Sequence, residues 1–151
     1  MRDKMNNTLV SHLYDQNTFY DAFLKDLRQA KSLVIIESPF ITKKRMQVIS
    51  SILRKLRARN VHIIVNTKPF DEHESVFKEQ VIWAIGVMQD MGIDILFTSG
   101  HHRKLAVIDD ILWEGSLNIL SQNDSCEIMR RIKSKNAVKE MTRYTGMNKW
   151  L

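Results

Sequence analysis

Residues 102–118 read HRKLAVIDDILWEGSLN. The apolar run Leu105 to Ile108, then Asp109-Asp110, then a second apolar run from Ile111 to Trp113 make this stretch two strands joined by a two-residue turn. Carried back to His102, the strand period of two sends His102 and Lys104 out of one face, with their backbones about 7 Å apart. An imidazole and an ammonium at that separation can address one phosphate. Asp-Asp suits a tight hairpin poorly, because such turns want glycine or asparagine for their positive φ angles, so the turn is expected to be irregular.

The rest of the chain alternates helix and strand. Phe19, Phe23, Leu24 and Leu27 predict an amphipathic helix over 18–31, ahead of a buried strand over 33–36 that Pro39 terminates. Thr42 can cap a helix running to about residue 58, with Met46, Ile49, Ile52, Leu53 and Leu56 on one face. A strand over 61–65 follows, then a helix to Met91 that Asp71 and Glu74 would open as a capping box and Gly92 would close. Strands over 93–97, 102–108, 111–114 and 127–132 and a helix over 135–146 complete the pattern. Interleaving of this kind argues for an α/β fold, a mixed β-sheet flanked by helices on both faces, parallel early and hairpin-like around 102–118. No repeat or linker divides the chain, so residues 1–151 are expected to form a single domain.

A chain of 151 residues can bury about 68–70% of its unfolded surface, enough for a core without staples. Cys126 is the sole cysteine, which excludes an intrachain disulfide and suits a reducing compartment. Residues 1–7 are polar and lack the apolar centre of a signal peptide, and no apolar run is long enough to cross a bilayer. A cytoplasmic protein without membrane insertion is expected.

The net charge of +6 is localised. Residues 43–59 carry Lys43, Lys44, Arg45, Arg54, Lys55, Arg57 and Arg59 with no acid, and without them the chain is about neutral. A solvated helix face and a track for a phosphate backbone are both open readings. A second basic stretch, Arg130 to Lys149, has Glu140 as its only acid. Together they favour a nucleic-acid substrate over a zwitterionic lipid, although anionic lipid attracts the same charges. Lys43, Lys44, Arg45 and Arg103 are the candidate nucleic-acid contacts.

His102, Lys104 and Asp109, followed by Gly115, Ser116 and Asn118, resemble the signature of the phospholipase D superfamily: H-x-K, four residues, D, then G-S-x-N. The motif is present once, and five residues separate Asp109 from Gly115, one fewer than the usual spacing. The resemblance implies an α/β/α sandwich and a metal-independent phosphodiesterase with no cofactor. In that mechanism His102 attacks phosphorus to give a covalent phosphohistidine, and a second histidine protonates the leaving oxygen. Lys104, Ser116 and Asn118 would hold the non-bridging oxygens. Gly115 would let the backbone approach the anion and expose its amide. A carboxylate that hydrogen-bonds the histidine falls at Glu127, beyond the short loop Ser121–Cys126. Asp109 lies at the far end of its strand from His102 and reads as structural, a turn residue or charge partner.

Since the chain has one H-x-K, the resemblance further implies a homodimer in which two copies of His102 share one site. The wording around the motif resembles members attached to bacterial DNA helicases or found with DNA-processing systems. This implies nucleic acid, DNA ahead of RNA, as substrate and a helicase or other DNA-processing protein as partner. Two alternatives stand beside the nuclease. One is a phospholipid hydrolase or phosphatidyl transferase, whose mark would be an apolar interfacial helix or loop, and none is evident. The other is a catalytically silent DNA-binding or dimerisation module.

His101 has no lysine two places on and is set aside as nucleophile. His73 and Glu74 could join His101 or His102 around a metal, but no H-E-x-x-H or C-x-x-C spacing occurs and no metal is predicted. His62 reads as a core or edge residue. Trp83, Val87 and Met88 recur at helical spacing and read as core, as does Trp113 ahead of a dimer contact or a stacking surface.

Overall fold

Seven strands and four helices make up the computed structural model, which describes residues 9–122 and 125–151. The strands are β1 (Ser11–Asp15), β2 (Leu33–Glu37), β3 (His62–Thr67), β4 (Asp94–Phe97), β5 (Leu105–Ile108), β6 (Ile111–Gly115) and β7 (Ile128–Lys133). The helices are α1 (Phe19–Arg28), α2 (Lys43–Ala58), α3 (Ser75–Asp90) and α4 (Lys135–Thr145). One mixed sheet runs in the order β1-β7-β6-β5-β2-β3-β4. Its central strand, the all-apolar β5, is buried at every residue, and β2 beside it likewise. These are the strands whose sequences lack alternation, as burial on both faces requires.

β2, β3 and β4 are parallel, and every other pairing is antiparallel. The carboxyl ends of β2, β3, β4, β6 and β1 therefore share one edge of the sheet with the amino ends of β5 and β7. The predicted α/β class with helices on both faces holds, but the two faces are unequal. Phe19, Phe23 and Leu27 of α1, Met46, Ile49 and Leu53 of α2, and Val81, Ile85 and Met88 of α3 pack on one face with Val34, Ile36, Val65 and Trp113. The other face, with Leu33, Ile35, Ile64 and Val107, is covered by Val138 of α4 and by Met147.

Thr42 caps α2 through the Arg45 amide, Ser134 caps α4 through the Ala137 amide, and Gly92 takes the left-handed conformation just past α3. The capping box expected from Asp71 and Glu74 does not form. Asp71 lies in a 3-10 turn over Phe70–Glu72, and Glu74 precedes α3 with no side-chain bond to its first turn. The strand expected over 102–108 begins only at Leu105, and β1 has no counterpart in the sequence reading. β1 is an edge strand whose exposed Leu13 hides the alternation. The polar segment 1–7 and part of the Ser121–Cys126 loop lie outside the described residues.

The turn at Asp109-Asp110 is tight, with Ile108 paired to Ile111. Asp109 carries the positive φ of 53° that glycine would supply. A left-handed side-chain-bearing residue costs about 1–2 kcal/mol. The Asp109 carboxylate offsets that strain by accepting the amides of Lys31, Ser32 and Leu33 at 2.9, 2.9 and 3.0 Å. Bonds from amides to a carboxylate are the stronger kind, so the turn locks the far edge of the sheet.

Candidate active site

The edge formed by the carboxyl ends of β2–β4 is where a parallel array places ligands. His102 and Lys104 precede β5 there, Gly115 ends β6, Ser116 and Asn118 follow it, and Glu127 precedes β7. Lys104 Nζ lies 3.1 Å from His102 Nδ1 and donates to the His102 carbonyl at 2.7 Å. An ammonium only donates, so Nδ1 is the acceptor in this pair and a neutral ring carries its hydrogen on Nε2. Burial pushes the Lys104 ammonium below its usual range, and the Glu127 carboxylate opposes that shift.

Glu127 thus acts on Lys104, and it makes no hydrogen bond to His102; its backbone amide donates to Gln16 Oε1 at 2.9 Å. Gly115 has a different reason to be glycine from the one expected. Its amide donates to the Lys104 carbonyl at 3.3 Å, so it is not free for an anion. A Cβ there would lie 2.1 Å from the Ile128 carbonyl oxygen. The close approach is to β7. Ser116 stitches the same junction, accepting the Ile128 amide at 3.0 Å through Oγ and donating its own amide to the Ile128 carbonyl at 3.0 Å. Asn118 Oδ1 is buried without a partner among the described residues.

The loop holding Ser116 and Asn118 is pinned from β2 and α2. Ser38 Oγ accepts the Leu120 amide at 3.1 Å, the Thr42 amide donates to Leu120 at 2.9 Å, and Thr42 Oγ1 accepts the Gln122 amide at 3.1 Å. The amino terminus of α2, with Lys43, Lys44 and Arg45, therefore borders the site. Three cations in a first turn without an acid oppose the helix dipole. Arg45 lies over the Tyr20 ring at 3.2 Å; burial pushes its guanidinium down, and the Tyr20 oxygen opposes that. The rest of the basic helix is less available than its sequence suggests. Arg57 donates to the Met91 and Val61 carbonyls, and Arg59 to those of Arg28 and Ala30.

Asp109 sits at the opposite edge, bonded to backbone amides and to no charged group. Trp113 is core: fully buried, its Nε1 donating to Asp26, which also takes a bidentate pair from Arg131. Trp83 is not core. It is 40% exposed beneath Lys43 Nζ, and Val76, Phe77 and Ile82 of the same helix are exposed by 73, 42 and 48%. Exposed apolar residues of α3, with Trp83 among them beside Lys43, thus stand against the expectation of no apolar interfacial helix. His62 is half exposed at the start of β3, 2.7 Å from Asp94. His73 is buried, and burial pushes its ring down. No group of three His, Cys, Asp or Glu side chains gathers for a metal among the described residues.

Sequence reading missed Glu37, Asn66 and Thr98. Glu37, wholly buried at the end of β2, takes both Arg103 Nε and Nη2, so that face of the Arg103 guanidinium is committed to a carboxylate. The one sequence signal was an acid closing an apolar run, Leu33 to Glu37.

A family model described as cardiolipin synthase, PLD-like domain, matches residues 23–148. The chain belongs to the phospholipase D superfamily. This phospholipase D-like chain is similar in fold to the phospholipase D family member Nuc from Salmonella typhimurium, with TM-score 0.74, 15% identity and 95% of each chain covered. NucT from Helicobacter pylori matches with TM-score 0.72 and 17% identity over 95% of this chain and 98% of that one. Phosphatidylserine synthase from Haemophilus influenzae matches with TM-score 0.70 and 12% identity, over 96% of this chain and 39% of that one. No curated protein sequence matches the phospholipase D-like chain. No helix among its described residues is long and apolar enough to cross a membrane.

Proposed function

We propose that this phospholipase D-like phosphodiesterase is a metal-independent nuclease, acting on DNA ahead of RNA, as a homodimer that shares one site. The observation that carries the reading is the His102–Lys104 pair at the sheet edge, bordered by cations that no acid of α2 neutralises. A phosphate entering there draws Lys104 Nζ from Nδ1 to a non-bridging oxygen. The ring is then free to place its hydrogen on Nδ1 and attack phosphorus through Nε2. The P–O bond to the leaving oxygen breaks, and that oxygen takes a proton from the imidazolium of His102 of the partner subunit. Water next attacks the phosphohistidine, gives its proton back to the partner's His102, and releases the phosphate end.

The second imidazole has to come from another copy. His101 is buried, His62 binds Asp94 at the opposite edge, His12 lies on β1 beside Arg131 toward that same far edge, and the His73 ring faces the Lys68 carbonyl at 3.4 Å. The cations at the start of α2 suit a backbone carrying a charge at every phosphate. A helicase or another DNA-processing protein is the partner in this reading. The presence of His102 and Lys104 in contact favours an active enzyme over a silent binding module.

The exposed Val76, Phe77, Ile82 and Trp83 favour a second reading, a phospholipid hydrolase or phosphatidyl transferase that rests α3 on a lipid surface. One experiment separates the readings: DNA and RNA oligonucleotides and anionic phospholipid vesicles are each offered to the protein and to His102→Ala. Cleavage of nucleic acid, lost in His102→Ala with DNA affinity retained, is the expected result. Turnover of lipid alone refutes the nuclease, and no turnover by the unaltered protein leaves the binding module.

A further inference from the structure

We propose that Glu37 and Arg103 are positioning residues for the His102–Lys104 site, acting through a chain of hydrogen bonds that crosses the catalytic edge of the sheet. The catalytic consequence rests on the phosphodiesterase reading; the chain itself stands on geometry. Arg103 lies between His102 and Lys104 in sequence, and in extended backbone its side chain leaves the opposite side from theirs. Its Nε and Nη2 donate to Glu37 Oε1 and Oε2 at 2.8 and 2.9 Å. Glu37 Oε2 also accepts Asn66 Nδ2 at 2.7 Å, and Asn66 Oδ1 accepts Thr98 Oγ1 at 2.8 Å. The chain thus links the segment before β5 to the ends of β2, β3 and β4.

Residues 101–104 need such support because they lie outside the ladder. Their backbone bonds are His101 N to the Thr98 carbonyl at 3.2 Å and Gly115 N to the Lys104 carbonyl at 3.3 Å. A wholly buried carboxylate requires its donors, since no water can replace them. The planar guanidinium meets both oxygens at once, which fixes rotation as well as distance, whereas an ammonium would fix distance alone. Holding Arg103 in that plane sets the direction in which His102 and Lys104 project. His101 packs in the same cluster, where burial pushes its ring down and Glu37 opposes.

The test uses Glu37→Gln, Arg103→Lys and the double variant in the full chain. Each is assayed for hydrolysis of a single-stranded DNA oligonucleotide, for inorganic phosphate affinity, and for the His102 imidazole signals by NMR. Outer-shell partners that orient metal-ligating histidines typically contribute about 10–100-fold, and the same scale is taken for orienting a nucleophilic one. A fall in kcat of about that size is expected in each single variant with KM unchanged. The double variant should fall no further than the lower single, as for two members of one unit. If Arg103 contacts substrate instead, Arg103→Lys raises KM with kcat intact while Glu37→Gln is silent, and the proposal is overturned. Should Glu37→Gln fail to fold, Arg103→Lys, which leaves Glu37 a cation, decides alone. If the unaltered protein cleaves no nucleic acid, the nuclease reading fails separately. Displaced His102 signals with weaker phosphate binding then still support the positioning pair, and unchanged values in both variants overturn it.

Discussion

Gly115→Ala distinguishes a glycine required by an anion from one required by a neighbouring strand. The added Cβ would lie 2.1 Å from Ile128 O, 2.8 Å from Met129 Sδ and 2.9 Å from Met129 Cα. An ordinary C···O contact is about 3.3–3.6 Å, so β6 and β7 must part by about 1 Å, and two of the three obstructing atoms are backbone. Overpacking of a fitted site costs about 1–3 kcal/mol. The parting also weakens the bonds from Ser116 N to Ile128 O and from Ile128 N to Ser116 Oγ, each worth about 0.5–1.5 kcal/mol. A total of about 2–6 kcal/mol is a large share of a typical 5–15 kcal/mol stability. At a midpoint of about 4 kcal/mol, Tm falls by roughly 8–16 °C for a chain of this size. Gly86→Ala is the control: the position is inside α3 with nothing within 4 Å of a new Cβ. There the substitution should raise Tm by roughly 1–4 °C, because alanine favours the helix by about 0.5–1 kcal/mol. Calorimetry of both variants decides. A Gly115→Ala protein that melts with the unaltered one but no longer binds phosphate would refute the strand-approach reasoning and restore the anion-approach one.

Three further outcomes are expected. Lys104→Ala should lower kcat/KM by about 10²–10³-fold, the usual loss when one donor to a developing oxyanion is removed, as steady-state kinetics would read. Glu127→Gln should lower the pKa of the Lys104 ammonium, as NMR titration of that side chain would read. The carboxylate raises the Lys104 pKa against burial, so its removal lets the ammonium lose its proton earlier, and a pKa that stays or moves upward refutes that pairing. A chelator such as EDTA should leave the cleavage rate unchanged, and loss restored by a divalent ion would contradict the two-imidazole mechanism.

Elements with a strong period were legible in the sequence, and contacts between elements were not. The apolar faces of α1 and α2 and the runs in β2, β3 and β5 follow from spacing alone, because burial on one face or two fixes the period. β1 carries Leu13 outward and pairs only with β7, so nothing local marks it. His102 and Lys104 were found together because their proximity is a property of two residues two positions apart in one short segment leading into β5. Gly115 was read as an anion contact because the Ile128 carbonyl that excludes a side chain lies across the sheet, reached through a loop. Glu37 was missed for the same reason: its partner, Arg103, is 66 positions away. Trp83 illustrates the converse error, since helical spacing indicates one face without saying which other element covers it.

The charges of the folded chain argue for an anionic ligand independently of any motif. Four arginines are already committed. Arg131 pairs with Asp26, Arg103 with Glu37, and Arg57 and Arg59 with carbonyls that end helices or strands. Removing Arg131 or Arg103 would leave the buried carboxylate of Asp26 or Glu37 without its cation, so these two belong to the fold. Lys43, Lys44 and Lys104 are different: none has a salt-bridge partner among the described residues, and each stands where its charge is disfavoured. The first two face the positive end of a helix dipole, at about 0.3–1 kcal/mol each, and Lys104 is partly withdrawn from water. Scattered at random over the surface, unpaired lysines would need no explanation. Gathered along one sheet edge, with Lys104 against the His102 imidazole, they favour an anion there, as the proposed phosphodiesterase reading requires.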